Sequence, residues 1–239
     1  MIIVILFVFY GLFVLYYLLP FYSIDSFQIF LTISTFLFAT FTGFFISRQG
    51  KRYSKIREAI TSFDGEMSGL YRQFGHLGKI HQKSVKKIIK IHYDLIIKNK
   101  AWDYHFINRS TTLTDINNLV NKTTKNKNLK SLMNLALREI LTSLQRLQVI
   151  RKKMVALHKE RVPVFNWIII SFISLILFIT LSAIPSQNLI IESVLKAAFS
   201  TSIISVLILL YRLDKLKLFS KITGEESAQD VLSIFSGKK

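Results

Sequence analysis

Residues 27–47, FQIFLTISTFLFATFTGFFIS, run for 21 positions without a charge. At a rise of about 1.5 Å per residue this makes about 31 Å of helix, enough to cross a hydrocarbon core roughly 30 Å thick. The stretch ends abruptly in Arg48, Gln49, Gly50, Lys51 and Arg52. A chain holding such a segment next to such a cluster is constrained to sit in a bilayer, with the basic end on the side where Lys and Arg accumulate.

Three more apolar segments support that reading. Residues 2–19 form the first. A cleaved leader would need a basic start and a small-residue cleavage site. Met1 is instead followed by Ile-Ile-Val, and Pro20-Phe21-Tyr22 is bulky, so a retained transmembrane helix is expected. Residues 164–184 and about 189–211 form the third and fourth. The connectors 20–26 and 185–188 hold no Lys or Arg. Each joins two antiparallel helices as a hairpin and is placed outside by the charge rule. Trp167 falls at the inner end of the third segment, where an aromatic belt is expected.

Between the hairpins, residues 48–163 carry 25 Lys and Arg against 8 Asp and Glu, about +17 of the chain's +18. Such a charge can signal nucleic acid, but no recognition motif accompanies it, and nucleic acid is disfavoured as a partner. Ile56, Ile60, Phe63, Met67, Leu70, Phe74 and Leu77 recur at helical spacing, which makes a seam for another helix. Only Gly50 opposes a helix continuing unbroken from the membrane segment. Gly75 and Gly78 mark its turn. Val85, Ile88, His92 and Leu95 give a second amphipathic helix, with Lys83, Lys86, Lys87 and Lys90 on its other side. Residues 100–127 read as irregular and polar. From Asn128 a long helix follows, its seam Met133, Leu137, Ile140, Leu144, Leu147 and Met154. The default is that the two seams satisfy each other within one chain.

The expected fold is therefore all-α: an integral membrane protein with four transmembrane helices in a 2+2 arrangement and a central cytoplasmic helical bundle. Its parts are a hairpin at 1–47 (helices about 2–19 and 27–47), a basic helical domain at 48–163, a hairpin at 164–211 (helices about 164–184 and 189–211), and a cytoplasmic tail at 212–239. By the charge rule both termini and the central domain face the cytoplasm.

Chemistry-bearing motifs are scarce. There is no cysteine, hence no disulfide or thiolate metal site. Phosphate loops, zinc-helix motifs and nucleophile elbows are missing. His76, His81, His92, His105 and His158 show no metal spacing, and Asp64 and Glu66 point different ways on a helix. No catalytic, cofactor or metal residue is assigned, and an enzyme is not expected. The Trp102–His105 cluster reads as a packed aromatic turn. Gln28, Thr32, Thr35, Ala39 and Thr42 share one face of the second segment. Such a stripe serves close helix packing or lines a polar path. Glu192 and Lys196, at i and i+4 in the fourth segment, form an outer polar pair. They serve either as a surface pair or as the mouth of a permeation path. The basic face Lys83, Lys86, Lys87 and Lys90 is a candidate for anionic lipid head groups.

The order of several residues resembles a known family. Gly43-Phe44 closes the second segment, followed by Tyr53, Arg57-Glu58-Ala59, Glu66, Tyr93 and Trp102. Arg146 and Arg151 lie on the returning helix, and Leu213-Asp214-Lys215 follows the fourth segment, with Val231-Leu232 beyond. From about residue 30 to 235 the chain is similar to the bestrophin-like domain proteins of bacteria. It departs at Ala101, where that family places an acid before the tryptophan, and at Arg212 and Leu216, where it favours an acidic turn with proline.

The resemblance implies a homo-oligomeric ion channel, pentameric by analogy and with a preference for anions, lined by the second crossing. It makes Gln28, Thr32, Thr35 and Thr42 pore-facing candidates and Phe38, Phe41 and Phe45 candidate constrictions. The partners expected are then the bilayer, inorganic ions, further copies of the chain and anionic lipid. The alternative is a membrane-tethered interaction or signalling protein acting through its cytoplasmic helices. A transporter ranks below both, because four crossings are few and none is broken by Gly or Pro.

Overall fold

The structure is a computed structural model describing residues 2–18, 27–108, 110–124, 131–184, 188–217 and 224–235. Among these every regular element is helical: α1 (Ile2–Leu18), α2 (Phe27–His76), α3 (Lys79–Asn99), α4 (Tyr104–Ile107), α5 (Thr112–Thr124), α6 (Ser131–Lys159), α7 (Val164–Ser182), α8 (Leu189–Asp214) and α9 (Gly224–Phe235). The connector 20–26, most of the connector 185–188 and the expected helix start at Asn128 lie outside the described residues. The chain divides into two compact units. One comprises 1–51 and 161–215, the other 52–160 and 216–239.

In the first unit, α2, the helical stretch Met133–Ser182 through its apolar part α7, and α8 are each long and apolar enough to cross a membrane; α1 is a shorter apolar helix. Large apolar side chains point outward: Phe7 and Tyr10 on α1, Phe30 and Phe36 on α2, Phe165 and Phe172 on α7, Ile190 and Leu195 on α8. Small and hydroxylated residues are inside: Ser174, Thr180, Ser193, Ala197, Ser200 and Thr201. In water this would be an inverted pattern. In lipid the outer surface gains nothing by hiding, and small residues let helices approach closely. Phe38 and Phe45 of α2 join Ile170, Ile173 and Leu177 of α7 and Ile203 and Leu210 of α8 in one core. The buried hydroxyls are satisfied locally. Thr42, Ser174, Thr180 and Thr201 each donate to the carbonyl four residues back, at 2.6–2.9 Å, which answers the need to pair every polar group away from water. Tyr16 and Ser200 share a buried 2.8 Å hydrogen bond joining α1 to α8.

The second unit forms around the expected seams. Met67, Leu70 and Phe74 of α2 are fully buried, in one cluster with Ile140, Leu144 and Leu147 of α6. They are not each other's only partners. Val85, Ile89 and Tyr93 of α3, Ile116 and Val120 of α5, and Ala228, Val231 and Phe235 of α9 complete the same core.

α2 runs on past Ser47 without interruption, and Gly50 does not break it. Gly78 then turns the chain, at φ 117° and ψ 156° as N-cap of α3. Residues 100–127 are more regular than their composition predicts, because α4 and α5 form there. Thr and Asn are indifferent helix formers. Leu113, Ile116 and Val120 nevertheless recur at helical spacing and are buried, so tertiary packing overrides weak propensity.

Candidate functional site

The second segment's stripe meets three environments. Thr32 is exposed, Thr35 half-buried and Thr42 buried. Phe38 and Phe45 are buried in the core of the unit, and Phe41 is packed against its edge. The side chain of Gln28 lies outside what is described. The buried face of α2 runs through Ser34, Phe38, Thr42 and Phe45, about 80° around the helix from the centre of the stripe at 100° per residue. Thr32, Ala39 and Gly43 remain accessible, so the surface α2 offers to other molecules passes through Thr32 and Ala39 rather than Thr42.

Glu192 and Lys196 sit at the α7–α8 connection. Asn188 N–H donates to Glu192 Oε1 at 3.1 Å, and Lys196 Nζ donates to the carbonyl of Ile184 at 2.6 Å. Each thereby satisfies backbone left open where a helix begins or ends.

The basic cluster that follows the apolar part of α2 also has a structural member. Arg52 is buried and donates to the carbonyls of Leu157 and His158, at 2.7 and 2.8 Å, closing the C-terminus of α6. Asp214 is buried and accepts from Val162 N–H at 2.7 Å. Both stand in the apolar register of their helices, 45–49–52–56 on α2 and 203–207–210–214 on α8. A charge in a hydrophobic register was the signal that sequence reasoning passed over.

Among the described residues of the second unit, buried polar side chains gather around Asp64 and around His92. Asp64 accepts from Tyr93 at 2.5 Å and from Ser227, linking α2, α3 and α9. Burial pushes the Asp64 carboxyl above its ordinary 3.8, against the opposing effect of its two hydrogen bonds. Tyr93 is pushed well above 10.0 by burial and then by the carboxylate beside it. In the second place, the rings of His92 and His105 stack at 3.7 Å and 11°. His105 Nε2 lies 2.7 Å from the carbonyl of His92, so it carries the proton and donates; His92 Nδ1 lies 3.0 Å from Thr112 Oγ1. Burial holds both imidazoles below 6.5, His92 the further of the two, and the Arg151 charge acts in the same direction. These two rings line a cavity of about 220 Å³ with Ser110, Thr111, Thr112 and Asp115.

Further contacts follow α6. Glu66 pairs with Arg146 at 3.3 Å, Glu58 with Lys153 at 3.7 Å, and Asp103 with His158 at 3.2 Å. Trp102 is buried beside Phe106 and His158, as a packed aromatic turn. Of the α3 lysines, Lys83, Lys87 and Lys90 are exposed, and Lys86 Nζ donates to the Phe235 carbonyl at 2.5 Å, at the end of α9. Among the described residues no group of three His, Asp or Glu is placed to hold a metal.

A family model described as Bestrophin-like domain matches residues 25–216, which takes in α2 to α8 and leaves α1, α9 and the Val231-Leu232 pair outside the match. No curated protein and no solved structure matches the chain significantly. With that match spanning most of its length, and with long apolar helices facing outward, this membrane protein belongs to the bestrophin-like domain family.

Proposed function

We propose that the protein is a four-crossing membrane protein whose copies assemble around an ion-conducting pore with a preference for anions. The crossings are α1, the apolar part of α2, α7 and α8. The observation that carries the reading is the family match combined with the outward apolar surface of the first unit. The charge rule puts both termini and residues 48–163 in the cytoplasm, the inner membrane of a bacterium being the setting. The +17 of that region would raise the local concentration of anions, and no enzymatic step is part of the reading.

The pore would be shared between copies and lined by α2. Thr32 and Thr35 are its lead residues, since they are accessible in one protomer. Thr42, with Phe38 and Phe45, would shape the path from behind or after a rotation of α2, and Gln28 and Phe41 would flank it. Pentameric assembly rests on family analogy. The test is a pair of variants in a reconstituted channel. Thr32→Leu and Thr35→Leu should change conductance or chloride preference several-fold, whereas Ser171→Leu, on the outer face of α7, should not. Unchanged currents in the α2 variants would remove the lining assignment.

A second reading, membrane-tethered interaction through the second unit, draws on exposed apolar residues there, Ile80, Ile91, Leu135 and Val149. The seams are already filled within the chain, so these outer positions would carry any partner or neighbouring copy. The lysine face Lys83, Lys87 and Lys90 would take anionic lipid at about 1 kcal/mol per charge near a surface. Vesicles with and without anionic lipid distinguish that contact from none.

A further inference from the structure

We propose that the groove between α5 and α6 binds an organic phosphate, a phosphate group carrying an apolar or planar body. The groove encloses about 640 Å³, within the range of small-molecule sites. Its basic wall is Arg151, Lys152 and Lys159 of α6, and its apolar floor is Leu113, Val155 and Ala156.

On α6, Arg146 and Lys153 each meet a carboxylate. Among the described residues no carboxylate pairs with Arg151, Lys152 or Lys159, and none lines the groove. From 151 to 159 the helix rises about 12 Å, so three positive charges share a short wall whose rim of Thr114, Asn117 and Gln148 is neutral. Arg151 is half-buried and Lys152 and Lys159 are exposed. Among the described residues that arrangement is uncompensated. A dianionic group answers it better than a single carboxylate, because Arg151 can fork onto two oxygens while the lysines supply point charges. The floor then accepts a body that water solvates poorly.

The phosphate could belong to a soluble nucleotide or to an anionic phospholipid. The test titrates the full-length protein in neutral detergent with ATP, and separately with short-chain phosphatidic acid, a phosphomonoester, against phosphatidylcholine, by calorimetry. Saturable binding of either anionic probe, weakened about tenfold or more by Arg151→Gln and by the Lys152→Gln/Lys159→Gln double variant, is the expected result. The probe that binds names the source. The double variant changes only exposed side chains, so it tests the site even where Arg151→Gln misfolds. Lys153→Gln removes the same charge from the opposite face and should leave binding unchanged. No saturable binding of either probe, or equal weakening by Lys153→Gln, would overturn the proposal. The site is independent of whether the chain conducts ions.

Discussion

Asp64 shows how a single carboxyl can set a pH dependence. Its folded pKa is raised, chiefly by burial. Below its ordinary 3.8 it is protonated whether folded or unfolded and costs nothing. As pH rises through the raised value, the unfolded state ionises more readily and stability falls. Asp64→Asn keeps an acceptor for Tyr93 and a polar partner for Ser227 while removing the charge. Thermal melts should therefore show the variant gaining on the native protein between pH 4 and 8. A gap that stays constant over that range would show that the carboxyl is not desolvated. His92 and His105 act in the opposite sense. Held below 6.5, they contribute stability above that pH and lose it as pH falls through their depressed values. In an Asp64→Asn background, melting temperature should still drop from pH 7 to 5, and His105→Gln should flatten that drop by leaving one imidazole to charge. An unaltered slope would place the acid sensitivity elsewhere.

At the scale of elements, Gly78 carries the turn between α2 and α3. Its φ of 117° with ψ of 156° is a region that residues with a Cβ rarely adopt. A methyl there meets no atom within 4 Å, so the cost of Gly78→Ala is backbone strain alone. About 1–3 kcal/mol of destabilisation is expected, against a gain of roughly 0.5–1 kcal/mol for Gly69→Ala inside α2, where space is also open and the backbone is helical. Equal effects of the two would contradict the turn assignment. Truncating the centre of the seam acts by a different cause. Met67→Ala leaves a cavity among Leu70, Phe74 and the α6 residues and should cost about 2–5 kcal/mol, measured by denaturant or thermal unfolding in detergent. The helices were largely legible in the sequence because their patterns are physical consequences of their surroundings. The charge-free stretch of α2 gave its apolar part, and the four-three spacing of Met67, Leu70 and Phe74 gave the buried face. α5 was obscured because Thr and Asn mask the Leu113–Ile116–Val120 register. The links Arg52 to α6, Asp214 to Val162 and Ser227 to Asp64 join residues 52 to 163 positions apart, and pattern within one helix carries no record of such partners.

For the whole molecule, the two units differ in what they expose. The first buries Ser and Thr beside a core of Phe, Ile and Leu and turns further Phe and Ile outward, as a lipid solvent allows. The second buries Phe, Leu and Met around two seams and exposes Lys, as water demands. Membership in the bestrophin-like family, already suggested by the order of Gly43-Phe44, Glu66, Tyr93 and Leu213-Asp214-Lys215, is consistent with that division. The stripe on α2 was legible as a stripe, but which of its members are accessible depends on how α7 and α8 pack against Phe38 and Phe45. The central claim is that copies of this chain conduct anions. The direct measurement is flux from sealed liposomes holding purified protein, with folding and insertion checked, comparing chloride and potassium against empty vesicles. Chloride flux above both the potassium flux and the empty-vesicle leak is the predicted result. Vesicles as tight to both ions as empty ones, at any pH from 5 to 8, would contradict it.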